Sequence, residues 1–190
     1  MADVDIEGKK KAVAQIVEGR VVNDEKRVPI CIKGSVLGFP ATLEATNFGW
    51  PLGCMYYIET KVILDPNKPP QTHPLSLTIT PRHGKGILAF IFRLLLLESH
   101  GMQLSDKRIQ SNFVVTYADR DIAERFLKYP GVFDNLLKLE KYCQFGEMQI
   151  KGDAGIYFSQ SNSFKDLDLD VCRETFRALS ELGQVLFEAF

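Results

Sequence analysis

The clearest periodicity in the chain lies at its end. Cys172, Phe176, Leu179, Leu182, Leu186 and Phe190 step by four, three, three, four and four residues, which is the apolar stripe of one amphipathic helix. The stripe runs to the last residue, so that end is expected to pack rather than trail. Near the other end, Ala12, Val13, Ile16 and Val17 share a face, and the pattern predicts a helix over residues 9–18 with Gly19 as its stop. Between them the period changes. "VPICIKGSVLG", "FPATLEATNFGWPLG" and "CMYYIETKVILD" are rich in β-branched and aromatic residues and punctuated by glycine and proline. They predict three strands of an antiparallel meander. "LSLTIT" and "RIQSNFVVTYA" read as two more strands, and "EMQIKGDAGIYFSQ" as a hairpin turning at Gly152-Asp153. "DIAERFLKYPG" reads as a short helix, with Asp121 and Glu124 in a cap-like relation and Tyr129-Pro130-Gly131 closing it. Val132, Phe133, Leu136, Leu137 and Leu139 begin another.

This order of elements predicts an α+β fold: a mostly antiparallel sheet, with an N-terminal meander and a later hairpin, and helices packed against it. No internal repeat divides the chain, so residues 1–190 are expected to form one domain. The stretch "DPNKPPQTHP" holds four prolines in ten residues and can be neither helix nor central strand. A subdomain boundary, if the chain has one, falls in that loop at residues 65–74.

One segment invites a sharper reading. In "RHGKGILAFIFRLLLLESHG", ten of the eleven residues from Ile87 to Leu97 are apolar, and Arg93 is the exception. A helix over residues 86–99 would be roughly 21 Å long against a hydrocarbon core of about 30 Å. Arg93 would add about 3 kcal/mol to any insertion, so no transmembrane segment is expected. "HGKG" lacks the upstream glycine of a phosphate loop, and Ile87 stands where its hydroxyl residue belongs. Wheel geometry brings Lys85, Arg93 and His100 within roughly 80° of one another. The segment therefore reads as a core or interface helix with one basic seam, and Lys85, Arg93 and His100 are the candidate contacts for an anionic ligand.

Composition narrows the function classes. The chain is 45% hydrophobic and 25% charged, and its 23 basic against 24 acidic side chains leave a net charge of −1. That is the profile of a soluble globular protein without the basic surplus of a nucleic-acid binder, so no nucleic-acid partner is expected. The one basic block, Lys9-Lys10-Lys11, reads as a solvated helix face. Cys31, Cys54, Cys143 and Cys172 are 23, 89 and 29 residues apart. No pair has the spacing of a zinc knuckle or redox dithiol. Buried thiols and a start without an apolar signal region place the expectation in the cytoplasm.

Candidate chemistry is sparse. Asp166, Asp168 and Asp170 resemble the start of a calcium loop, but Val171 and Arg177 occupy the positions that need glycine and glutamate. These acids are expected to cap the last helix, and no metal is expected. Phe48 and Trp50 sit on the rigid loop "NFGWPLG" and are candidates for an interaction surface. His73, His83 and His100 lie apart, and no elbow, zinc or dinucleotide motif occurs. No catalytic residue and no cofactor is therefore assigned. The expected function is a non-enzymatic module that binds a protein partner or itself; the alternative is an enzyme or anionic-ligand binder with a pocket between sheet and helices.

From about Val28 onward the order of segments resembles a loosely defined group of uncharacterised bacterial α+β proteins. The likeness is carried by the short meander, the "LSLTIT" strand, "NFVVTYADRDIAERFL", "GVFDNLLKL", the hairpin "MQIKGDAGIYF" and the closing amphipathic helix. It departs at Gln110, where members often carry aspartate, and at Asp119-Arg120, where they often carry Asp-Pro. The resemblance implies a shared fold and, with no activity known for the group, no functional residues.

Overall fold

The computed structural model describes residues 5–22, 30–45, 54–60, 75–82, 104–143, 145–152, 154–160 and 163–190. Eight strands form one sheet: β1 (Arg20–Val22), β2 (Ile30–Val36), β3 (Phe39–Ala45), β4 (Cys54–Glu59), β5 (Ser76–Pro81), β6 (Phe113–Tyr117), β7 (Phe145–Lys151) and β8 (Gly155–Gln160). Their spatial order is β1-β2-β3-β4-β8-β7-β5-β6, and every neighbouring pair is antiparallel. Five helices, α1 (Ile6–Ile16), α2 (Lys107–Asn112), α3 (Arg120–Leu127), α4 (Val132–Tyr142) and α5 (Leu169–Ala189), pack on it. The α+β expectation holds, as do the meander β2–β4 and the hairpin β7–β8.

Strand alternation decides where the core sits. Along β3 the side chains of Phe39, Ala41, Leu43 and Ala45 are buried, while those between them are half-buried. Cys54, Tyr56 and Ile58 repeat the pattern on β4, as period 2 requires. These inward residues join the apolar faces of the five described helices in one cluster, so those helices share one side of the sheet. An aromatic row runs through it: Phe113 to Phe145 at 6.0 Å, Phe145 to Phe158 at 5.0 Å, Phe158 to Tyr56 at 5.8 Å, and Tyr56 to Phe176 of α5 at 5.0 Å.

α5 is the helix that its period foretold, but its burial is wider than one stripe. Thr175, Ala178, Ser180, Gly183, Val185 and Ala189 are buried along with the periodic residues. The reason is position: α5 crosses β2, β3, β4 and β8 on one side and meets α1, α3 and α4 on its flanks. Its start is set by Asp168, whose carboxylate accepts the amides of Asp170 and Val171 at 2.8 and 3.2 Å. Asp166 accepts the Ser163 hydroxyl at 2.7 Å, and Asp170 pairs with Arg173. Of the three acids, Asp168 caps the helix and Asp170 lies in its first turn, while Asp166 stands in the turn before it and caps nothing.

Three local readings need correction. "RIQSN" is helix α2 rather than the beginning of a strand, because Asp106 accepts the Arg108 amide at 2.8 Å and caps it. Ile109 and Phe113, four apart, then both point into the core. α3 is capped by Asp119, which accepts the Ile122 amide at 3.0 Å, and not by Asp121. α1 begins at Ile6, three residues before the expected start, because the Asp5 carboxylate accepts the Gly8 amide at 2.7 Å.

The lysine block also divides. Lys11 is exposed, and Lys10 pairs with Glu7 at 2.6 Å. Lys9 instead reaches across to the turn before α5, where its ammonium donates to the carbonyls of Lys165 and Leu167 at 2.6 and 2.9 Å. One of three adjacent lysines is thus a structural tie. No helix among the described residues is long and apolar enough to cross a membrane.

Candidate interaction face

Direct pairing across the sheet places paired residues on the same side. Since Tyr56 and Ile58 point inward, Met55, Tyr57 and Glu59 point outward. The register extends this outer face as rows. One row runs Lys33, Thr42, Tyr57, Tyr157, Gln149, Thr78 and Thr116. The next includes Glu44, Met55, Ser159 and Glu147. None of these side chains joins the buried cluster. They are exposed or half-buried, and Met55 is 40% exposed, whereas Cys31, Thr80 and Val114 on the same side are buried outside that cluster. Among the described residues, no helix covers this side.

Two tyrosines mark its centre. Tyr57 on β4 and Tyr157 on β8 are directly opposite, on the fourth and fifth strands of the eight. Their rings stack with centroids 4.4 Å apart and planes 22° from parallel. The Tyr57 hydroxyl donates to the Ala154 carbonyl at 3.0 Å, and the Lys151 ammonium stands 5.5 Å above the Tyr157 ring. These ties hold the ring pair in place, which lowers the entropy lost when a partner covers it. A bulge adjoins the pair: β7 carries one extra residue, Gly146, between Phe145 and Glu147. There Ser159 accepts the Glu147 amide at 2.9 Å.

The charges of this face cancel. Arg20, Lys33 and Lys151 stand against Glu44, Glu59 and Glu147 among its described residues.

Among the described residues, the buried titratable groups offer no nucleophile. All four cysteines are buried thiols. Burial pushes the Cys54 and Cys172 thiols up to about 12, against the small opposing pull of Lys9 on Cys54 and of the Tyr56 hydroxyl on Cys172. Cys143 is raised for the same reason, and its sulfur lies 3.0 Å from the Thr175 hydroxyl. Desolvation also raises Tyr56 strongly, and its hydroxyl donates to Gln160 at 2.8 Å. Protonated, enclosed thiols of this kind are inert. On the surface, Glu124 accepts from Lys128, Ser105 and Arg120, and these bonds hold its carboxyl down at about 2. The adjoining cleft between Leu104, Ser105, Asp106 and Leu127 has about 10 Å³, room for roughly one water. Among the described residues no cluster of His, Cys, Asp and Glu could hold a metal ion.

Lys85, Arg93, His100, Phe48 and Trp50 lie outside the described residues, as do the proline-rich loop at 65–74 and His73 and His83. Met55, Tyr57 and Tyr157 escaped notice because "CMYYIE" and "GIYFSQ" carry large residues at consecutive positions, which hides the alternation of faces. The available signal was that period-2 burial forces one of each adjacent tyrosine and phenylalanine pair outward.

No family model, curated protein or solved structure matches the chain. The resemblance to uncharacterised bacterial proteins therefore rests on the quoted segments alone.

Proposed function

We propose that this chain is a protein-interaction module whose contact surface is the centre of the sheet face that no described helix covers. One observation carries the reading: a stacked, tethered tyrosine pair stands at the centre of that face, next to an exposed methionine. An antiparallel sheet can turn one side to water, and the surrounding Thr42, Thr78, Thr116 and Gln149 suit that role. Tyr57, Tyr157 and Met55 do not need to be there for solvation. Aromatic residues at the centre of a patch, ringed by polar ones, are the pattern of binding hot spots. The balanced charges favour a protein surface over a nucleic acid. The alternative, an anionic-ligand pocket on Lys85, Arg93 and His100, draws no support from the described residues.

Methionine oxidation tests the reading. A brief peroxide pulse should modify Met55 readily in dilute purified protein, with Met148, which is 0% exposed, as the internal reference. In a fresh lysate of the cells that make the protein, Met55 should be protected several-fold. Equal oxidation in both settings refutes an occupied face.

A further inference from the structure

We draw no further inference here: the strongest candidate, the sheet face around the stacked Tyr57 and Tyr157 rings as a docking surface for one identified partner, carries nothing, because Cys31, Thr80 and Val114 on that face are buried and nothing in the structure shows what covers it.

Discussion

Replacing Lys9 by methionine isolates one long-range tie. The substitution keeps the hydrocarbon stem and removes the ammonium that donates to Lys165 and Leu167, more than 150 residues away. Hydrogen bonds from a charged group are worth about 1.5–3 kcal/mol when shielded. The bond to Leu167 is partly buried and the one to Lys165 is exposed, so the pair is expected to contribute about 2 kcal/mol, most of it from Leu167. For a chain of this size that corresponds to about 4–8 °C in Tm. The neighbouring lysines are the measure of specificity. Lys10→Met loses one i,i+3 pair whose Glu7 side chain is 73% exposed and should cost less than about 0.5 kcal/mol. Lys11→Met removes an exposed side chain and should fall within about 0.5 kcal/mol of wild type. Urea unfolding of the three variants in one buffer gives the comparison directly. If Lys9→Met and Lys11→Met have the same midpoint, the tie carries no stability and the reasoning fails.

Two further outcomes follow from the ionisation of named groups. Glu124 is held at about 2 from an ordinary 4.5 by its bonds to Lys128, Ser105 and Arg120; its folded value is depressed, so its stabilisation is complete above about pH 4.5 and fades as pH falls toward 2. A Tm-against-pH series should therefore be flatter over that interval in Glu124→Gln, and the difference should shrink in high salt; parallel profiles would contradict the assignment. Burial raises Cys54, Cys143 and Cys172, and Cys31 is 4% exposed. Native protein at about pH 8 should then be inert to a thiol-reactive disulfide, and all four cysteines should react once the chain is unfolded in denaturant. Rapid labelling of the native protein would show that one of them reaches solvent.

Local chemistry accounts for the parts of the fold that could be read beforehand. The i, i+3, i+4 spacing of Cys172 through Leu186 marks α5 whatever it packs against. The glycine-bounded segments of β7 and β8 pair through the nearest turn. Where two local signals competed, the stronger backbone interaction won. At residues 107–112 the valines downstream gave the look of a strand, yet the Asp106 cap and the four-residue step from Ile109 to Phe113 made a helix. At α3 the choice between Asp119 and Asp121 turned on one amide bond, to Ile122. That distinction depends on backbone geometry that residue types do not specify.

The amino-acid sequence by itself determined most of the kinds of element, the meander, the hairpin and the α+β class. Each of these follows from the period of apolar positions and from turn and cap residues within a few positions of one another. Only the tertiary structure decided which strands adjoin. β8 lies against β4, and β5 lies between β7 and β6, because those pairings close the sheet over a single core rather than a local turn. Tyr57 and Tyr157, a hundred residues apart, became one stacked pair by that choice. Lys9 became a tie, and the outward side of the sheet became a face. All three depend on contacts between distant segments, whose free energy lies in shared burial rather than in any local pattern.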